Sequence, residues 1–305
     1  MSFNLVQENE FMSLAVFANF RIDTEERLQR MKDSFESFNG SEIEQWVINA
    51  RGPFKDDAVQ YLKDRLGVKL ISFNLESKDG WFFDSRKMIE IIKCDYVFFW
   101  IEDHICMCGA NQFNVVVREL KSLDVEYLGY SWFGMGLFLN QFRNIAGTEG
   151  DSLTLYNYTK EMNLLRQKNS LLEIGVQSYF ISLCGIFKKD LFVKILKSNR
   201  PYLHRWPKQT PFDFEKRWDD IYILPVRYGV PKFEMFAAID DDNVHPGSSL
   251  FARGLYPNRV SRADMLAIRD NIVQKNNLFG LREILGKFSV VKSLSKFLKR
   301  VSYHF

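Results

Sequence analysis

The sequence lacks the glycine-rich motifs that mark two common classes of nucleotide-binding enzyme. No Gly-x-Gly-x-x-Gly fingerprint follows an apolar run, and no Gly-x-x-x-x-Gly-Lys-Ser/Thr loop occurs. Both motifs bring backbone N–H groups close to phosphates, which requires glycine at fixed positions. Their absence disfavours ordinary dehydrogenases and P-loop enzymes.

Cysteine is scarce and poorly spaced for a zinc site. The chain has four cysteines and no Cys-x-x-Cys pair, and Cys106 and Cys108 are too close together for a zinc knuckle. This usage is typical of reduced, mostly buried thiols in a cytosolic protein.

Long apolar runs and targeting signals are also missing. The first ten residues have no basic segment followed by an apolar one, as a signal peptide would. The longest apolar runs, such as 96–101, are far too short to span a bilayer. We therefore expect a cytoplasmic protein.

The net charge of +3 is concentrated at one end of the chain. Residues 281–305 carry six bases and one acid, hence +5, so the remaining residues sum to about −2. A nearly neutral body disfavours a nucleic-acid partner. Within 290–301, apolar and basic residues fall on opposite helical faces, which predicts peripheral binding to an anionic membrane surface. The alternative is a helix that packs on the protein's own core.

The first hundred residues alternate apolar runs with helical patterns. The expected strands are 13–18, 45–50, 68–75 and 96–101, and the expected helices are 24–38, 55–66 and 84–94. Thr24 is the expected cap of the first helix and Asp84 that of the third. Continuous apolar strands that alternate with helices predict an α/β fold, with a mostly parallel central sheet and helices on both faces. Ligands should bind beyond the carboxyl ends of the strands, just after residues 18, 50, 74 and 101.

The later half is less regular. Strands are expected at 126–132, 152–158, 178–183, 221–224 and 233–239, a helix at 188–197 and a loop at 199–213. We expect one domain over 1–260, with a ligand-binding half at about 11–105 and a second half at about 106–260. A helical extension would cover 261–305.

Glu102, Asp103 and His104 directly follow the strand predicted at 96–101. Charged groups beside an apolar strand are costly unless they are paired. A divalent cation held by these side chains, with a diphosphate completing its shell, is one solution. A solvated strand-to-loop junction is the other.

Two further acidic clusters are candidate sites. Glu215 lies among aromatic residues at 210–218, where a carboxyl with a raised pKa could act as a general base, and Asp219 and Asp220 are rival bases. The other reading is an acidic first turn of a helix capped by Asp213. At 239–245, three aspartates precede His245, a possible fourth metal ligand or a solvated histidine.

The order of these motifs over residues 11–240 resembles the GT-A fold glycosyltransferases, and in particular the inverting family-2 bacterial enzymes. Segment 13–21 resembles the family's "S-V-I-I-P-T-Y-N-R", and 47–52 falls where the family has "V-V-D-D-G-S". Segment 80–87 matches a glycine followed by "A-R-N", and 96–104 matches the strand that ends in Asp-x-Asp. Segments 181–190 and 211–215 resemble "S-L-Q…I-W…P-W-D-F-E". The chain departs from the family at Asn49 and Ala50, which replace acids, and in having Glu-Asp-His for Asp-x-Asp.

The resemblance implies transfer of a sugar from a nucleotide-diphosphate sugar to an acceptor hydroxyl, with inversion, in the synthesis of a bacterial surface polysaccharide or glycolipid. The acceptor would be a glycan or a lipid-linked glycan at the inner face of the cell membrane. The implied nucleotide contacts are Asn19, Arg21, Asn49, Arg51 and Arg86. Mn²⁺ or Mg²⁺ would be held by Glu102, Asp103 and His104 with help from His245, and Glu215 would be the base. The alternatives are a nucleotidyltransferase and a non-catalytic sugar- or partner-binding module.

Overall fold

The computed structural model describes residues 13–129, 139–173, 184–197, 211, 214, 223–240 and 249–256. The strands are β1 (Leu14–Arg21), β2 (Gln45–Arg51), β3 (Leu70–Phe73), β4 (Tyr96–Phe99), β5 (His104–Cys106), β6 (Tyr127–Leu128), β7 (Thr148–Glu149), β8 (Leu153–Tyr158), β9 (Gly185–Lys188), β10 (Val226–Pro231) and β11 (Phe236–Ala238). The α-helices are α1 (Glu25–Glu36), α2 (Lys55–Leu66), α3 (Trp81–Ile89), α4 (Gly109–Ser122), α5 (Lys160–Glu173) and α6 (Lys189–Lys197).

Nine of the strands in these ranges form one sheet in the order β3-β2-β1-β4-β9-β6-β10-β8-β7. Strands β1 to β4 are mutually parallel, and β10 is parallel to β6. Strand β9 is antiparallel to both β4 and β6, and β8 is antiparallel to β10 and β7. All strands except β9 and β8 therefore run in the same direction. Strands β5 and β11 form a separate antiparallel pair.

Helices cover both faces of this sheet. Leu14, Val16 and Ala18 of β1 pack in one core cluster, to which α1, α2 and α4 contribute buried side chains. Ala15 and Phe17, which alternate with them, pack in a second cluster with residues of α3 and α6. Because successive side chains of a strand point to opposite faces, the apolar run of β1 is buried on both sides. The predicted α/β class, with a mostly parallel sheet between helices, is confirmed.

Local signals set the first two helices close to their predicted bounds. Helix α1 begins after Thr24, whose Oγ1 accepts a hydrogen bond from the Arg27 N–H at 3.2 Å, as an N-cap does. Helix α2 occupies the predicted residues and ends at Gly67, which has a positive φ of 52°.

Helix α3 and strand β3 differ from prediction. Helix α3 begins at Trp81, after Gly80 with φ 89°, so Asp84 lies inside the helix and is not its cap. Strand β3 is shorter than the predicted 68–75, because residues Gly67–Lys69 form a 3-10 turn that leaves Val68 fully exposed. An apolar residue in a turn reads as strand when only its hydrophobicity is considered.

Strands β5 and β10 and helices α4 and α5 were not predicted. Strand β9 at Gly185–Lys188 occupies the position where the predicted helix 188–197 was to begin, so α6 starts one residue later. The predicted strand 178–183, nearly all of loop 199–213 and the extension 261–305 lie outside the described residues. Within the described stretches, every helix falls short of the length and apolarity needed to cross a membrane.

Candidate functional site

The carboxyl ends of β1 and β2 bring four predicted site residues together. The two strands pair in parallel, with Asn19 opposite Asn49 and Arg21 opposite Arg51. In a parallel sheet the carboxyl ends of neighbouring strands share one edge, where α/β proteins bind their ligands. The structure therefore brings together four of the residues predicted to contact the nucleotide, and that contact stays a prediction.

The two asparagines are buried and bonded to the protein. Asn49 Nδ2 donates to Asn19 Oδ1 and to the Leu75 carbonyl, both at 3.0 Å, and Asn49 Oδ1 accepts from the Leu75 N–H at 2.8 Å. Asn19 Nδ2 donates to Ser85 Oγ at 3.0 Å, and the Trp81 indole donates to the Asn19 carbonyl at 2.8 Å. These bonds attach the loop after β3 and the start of α3 to the strand ends. The asparagines therefore position the site's walls.

Arg51 is partly buried, and one nitrogen of its guanidinium is unsatisfied. Its Nε is buried without a hydrogen-bond partner, and the part of the chain described supplies no ion pair to it. Burial lowers the pKa of Arg51 from its ordinary value, and the positive charge of Arg21 lowers it further, against weaker opposing charges. A buried donor that lacks a partner is destabilising by about 1–3 kcal/mol. This position is therefore suited to an anionic or acceptor-rich ligand.

Asp84 presents a second unsatisfied atom in the same region. Its side chain is 2% exposed, and Oδ2 accepts from the Ser77 N–H at 3.1 Å, whereas Oδ1 is buried with no partner. The negative charge of Asp84 is the largest of those that raise the pKa of Arg51, against burial and the charge of Arg21, so the two side chains lie in the same region. Together they offer a ligand one hydrogen-bond donor and one acceptor. Sequence reasoning missed this role because Asp84 was interpreted as a helix cap.

Arg21 lies at the exposed rim of the same edge. Its Nε donates to Asp23 Oδ1 at 2.8 Å and its Nη1 to Glu76 Oε1 at 3.2 Å, and its side chain is 47% exposed. Salt bridges between exposed groups contribute little, about 0–1 kcal/mol. A ligand's phosphate could therefore displace these carboxylates at small cost.

The turn after Arg51 requires glycine. Gly52 has φ 94°, and a Cβ at this position would lie 2.4 Å from the Ile22 carbonyl oxygen. That carbonyl also accepts from the Phe54 N–H at 3.3 Å, which ties the turn after β2 to the end of β1. The close approach fixes where Arg51 leaves the strand.

Glu102 is buried beyond β4 and paired with Arg27 of α1. Its side chain is 4% exposed, and Arg27 Nη2 donates to Glu102 Oε1. Burial raises the pKa of Glu102 above its ordinary value against the charge of Arg27, and the charge of Glu102 raises the pKa of Arg27. A basic residue in the first turn opposes the helix dipole, so this pairing is the physical reason for Arg27 at that position. The sequence signal was this base directly after Glu25 and Glu26.

Asp103 and His104 form a second pair beside it. His104 Nδ1 lies 2.7 Å from Asp103 Oδ1. Burial would raise the pKa of Asp103, but the hydrogen bond and charge of His104, with the charge of Arg27, hold it below its ordinary value. The Asp103 side chain is 31% exposed, so an ionised oxygen reaches solvent. Ser34 of α1 anchors this segment, because it donates to the His104 carbonyl and accepts from the Trp100 indole.

The fit of these side chains to a divalent cation is uneven. In the described ranges, no three His, Cys, Asp or Glu side chains are arranged to share one metal ion. Asp103 offers the charged oxygen that Mg²⁺ or Mn²⁺ binds, and such ions are often held by one or two carboxylates plus phosphate. Glu102 is already occupied by Arg27. The predicted metal set therefore stays a prediction, with Asp103 as the ligand that fits.

The Arg86 side chain forms a hydrogen bond with helix α6. Its Nε donates to the Leu196 carbonyl at 2.9 Å, in the last turn of α6. This bond joins α3 to α6 and satisfies one of the carbonyls that every helix end leaves open. The predicted contact of Arg86 with the nucleotide stays untested.

The predicted bases Glu215, Asp219 and Asp220, and the possible ligand His245, lie outside the described residues. Phe214, which precedes Glu215, is described and fully buried. Its ring packs on Phe99 with centroids 5.2 Å apart and on Trp81 at 6.3 Å. Residue 214 is thus held beside the end of β4 and the start of α3.

No family model and no curated protein matches the chain. Among solved structures, residues 1–349 of S. aureus TarS align with a TM-score of 0.46 and 12% identity, covering 74% of this chain and 60% of that one. Longer TarS aligns at 0.48 and 13%, covering 91% and 46%. The mannosyltransferase PcManGT from Pyrobaculum calidifontis, in complex with GDP-Man and Mn²⁺, aligns at 0.48 and 9%, covering 77% and 59%. The chain thus covers 60% of the first of these, and similarity at this level establishes neither a family nor a reaction.

Proposed function

We propose that this chain is a GT-A type glycosyltransferase that moves a sugar from a nucleotide-diphosphate sugar to an acceptor hydroxyl. The observation that carries the proposal is the pair of unsatisfied buried atoms, Arg51 Nε and Asp84 Oδ1, at the edge where parallel strands bind ligands. Unsatisfied polar atoms in a native interior call for an explanation, and a bound polar ligand is one. A nucleotide carries both the oxygen acceptors for Arg51 and the N–H or O–H donors for Asp84.

The residues around this pair would divide the work of binding. Arg51 would hold oxygen atoms of the nucleotide, and Arg21 would exchange its exposed carboxylate partners for a phosphate. Asn19 and Asn49 would keep the walls in place through their bonds to Ser85 and Leu75. Bound geometry of this kind lowers the entropic part of the barrier to transfer.

A divalent cation would be held by Asp103 together with the diphosphate. The His104 contact orients the Asp103 carboxylate and favours its ionised form. The metal, when bound, supplies positive charge that stabilises the departing nucleoside diphosphate. Glu102 would act on the site indirectly, since its pairing with Arg27 fixes the segment that carries Asp103.

The base for direct inversion would be Glu215, with Asp219 or Asp220 as rivals. The packing of Phe214 on Phe99 and Trp81 supports this choice, because it brings the preceding residue next to the same strand end. A carboxylate there would take the proton of the acceptor hydroxyl as that oxygen attacks the anomeric carbon. His245 would assist the metal.

Thermal unfolding with a panel of nucleoside diphosphates tests this function. We expect one of them to stabilise the chain strongly with Mn²⁺ present and weakly without it, because Asp103 would hold the cation and its charge would offset that of the diphosphate. A ligand at a hundredfold above its Kd adds about 2.7 kcal/mol, and each kcal/mol raises the Tm of a chain this size by about 2–4 °C.

The outcome also separates the proposal from its alternatives. No stabilisation by any nucleoside diphosphate with metal would contradict nucleotide-sugar binding altogether. Mass spectrometry then shows whether the matching nucleotide sugar releases nucleoside diphosphate, with and without candidate acceptors. Thermal stabilisation without any such release would favour a non-catalytic binding module. The pairing of Glu102 with Arg27 is the observation that favours that second reading.

We further propose a lipid-linked or glycan acceptor used in surface polysaccharide or glycolipid synthesis, with the enzyme held at the inner membrane face by its basic tail. The charge of +5 over residues 281–305 supports binding to anionic lipid, at about 1 kcal/mol per base near the surface. We expect the full chain to sediment with anionic vesicles. A chain that lacks residues 287–305 should remain mostly in the supernatant. Equal sedimentation of the full and shortened chains would contradict the anchor.

A further inference from the structure

Two of the thiols face each other in the structure. Cys106 ends β5 and Cys108 directly precedes α4, and their Sγ atoms are 3.8 Å apart. Cys106 is buried, whereas Cys108 is partly exposed, so a small reagent can reach the pair from solvent. Two thiols at this distance need only a small movement to bond, because a disulfide joins its sulfurs at about 2.05 Å.

Backbone contacts hold the strand side of the pair in place. The Cys106 N–H donates to Ser37 Oγ at 2.9 Å, and the Met107 N–H donates to the Met235 carbonyl at 2.7 Å. On the other side, Gly109 begins α4 with φ 70° and has no atom within 4 Å of the place a Cβ would take. The strand side is therefore fixed, and the space beside Gly109 at the start of α4 is open.

We propose that Cys106 and Cys108 form a dithiol site that hydroperoxides oxidise to an intrachain disulfide. One thiol attacks the peroxide, so the O–O bond breaks, an alcohol or water leaves, and a sulfenic acid forms. The second thiol attacks that sulfur, the S–S bond forms, and water leaves with the remaining oxygen. Two thiols and one hydroperoxide thus give one disulfide, one alcohol or water and one further water. The site is independent of the proposed transfer reaction.

The other cysteines provide the contrast. Cys94 is buried at 4% exposure, and burial raises its pKa to about 11, which suppresses the reactive thiolate. Cys184 is buried at 1% exposure. A sulfenic acid formed on one cysteine has the other sulfur 3.8 Å away, so the second thiol should attack it before another oxidant molecule arrives. Oxidation of the pair should therefore end at the disulfide.

Mass spectrometry of the full-length protein tests the proposal. The protein is treated with hydrogen peroxide, its remaining free thiols are blocked with N-ethylmaleimide, and it is digested. Trypsin alone leaves residues 94–118 in one peptide, so a second cleavage after Glu102 separates Cys94 from the pair. We expect the peptide with Cys106 and Cys108 to be unlabelled and two hydrogen atoms lighter, and to regain two labels after reduction. Its thiols should disappear about tenfold faster than that of Cys94.

Single variants supply the controls. Cys106→Ser and Cys108→Ser should each trap a sulfenic acid that dimedone labels, whereas Cys94→Ser should form the disulfide as the natural chain does. Labelling of both thiols after peroxide treatment, or their conversion to sulfinic acids without a disulfide, would overturn the proposal. Detection of the disulfide in the natural chain and in Cys94→Ser tests the proposal even if a serine at position 106 or 108 impairs folding.

Discussion

Replacing Arg51 with methionine should weaken nucleotide binding about ten- to a hundredfold while leaving the fold at least as stable as before. The loss follows because a charge-assisted hydrogen bond to a ligand is worth about 1.5–3 kcal/mol. The stability follows because Arg51 is partly buried near the positive charge of Arg21, and its Nε is buried and unsatisfied. Removing that charge relieves the folded state, and methionine fills a similar volume, so we expect the free energy of unfolding to rise by about 1 kcal/mol.

Isothermal titration with the nucleoside diphosphate and Mn²⁺, together with urea unfolding, measures both effects. Arg118→Met is the matched control, because Arg118 is 56% exposed and paired with Glu42 on the surface. It should change neither affinity nor, by more than about 1 kcal/mol, stability. An Arg51→Met protein that binds as tightly as the natural chain would remove Arg51 from the site. One that loses stability would mean that the guanidinium serves the fold.

Replacing Arg27 with alanine should destabilise the protein by about 1–3 kcal/mol near neutral pH. The substitution leaves the Glu102 carboxylate buried at 4% exposure without its cation. Arg27 itself is 44% exposed, so water replaces part of its effect, but the buried carboxylate that remains is poorly solvated and uncompensated. Urea unfolding of the two proteins gives the difference directly.

The destabilisation should depend on pH in a defined direction. Burial already raises the pKa of Glu102, and loss of Arg27 removes the charge that opposes this rise. Between the unfolded value of about 4.3 and the raised folded value, the native state binds more protons than the unfolded state. The contribution of Glu102 to stability is therefore best at low pH and is lost as pH rises through that window. The deficit of Arg27→Ala should shrink as the pH is lowered from neutral towards the unfolded value of about 4.3.

Two further variants check this explanation. Adding Glu102→Gln to Arg27→Ala should restore much of the stability, because a neutral amide is cheaper to bury than a carboxylate. Arg65→Ala breaks the pair with Glu36, in which both side chains are more than 40% exposed. It should cost less than about 1 kcal/mol, with little change over the same pH range. A deficit for Arg27→Ala that is small, or that grows at lower pH, would contradict the buried-charge account.

Prediction succeeded where the signal is local. The bounds of α2, the Thr24 cap and the strands that become β1 and β2 follow from periodicity and capping within a few neighbouring residues. The neighbourhood of Asn19, Arg21, Asn49 and Arg51 followed from the same pattern, because parallel strands end at one edge. Prediction missed β5 and β10, whose partners are distant in sequence, and also the two 14-residue helices α4 and α5.

The bonding partners of the site's side chains could not be predicted from the sequence. Asn49 looked like a ligand contact, yet its amide holds Leu75, which a different loop brings to it. Glu102 looked like a metal ligand, yet helix α1 turns Arg27 towards it. Nothing in the local sequence of either residue names its partner, because these contacts form only when separate elements pack together.

By itself, the sequence determined the alternation of strands and helices, the burial of β1 on both faces, and the edge at which polar side chains gather. These depend on residue periods and turn residues, which act over one or two helical turns. Only the tertiary structure decided that β9 enters the sheet antiparallel between β4 and β6, and which charges are paired and which are not. The physical reason is that burial and charge compensation are set by atoms from distant parts of the chain, so Arg51 and Asp84 acquire unsatisfied atoms only in the folded molecule.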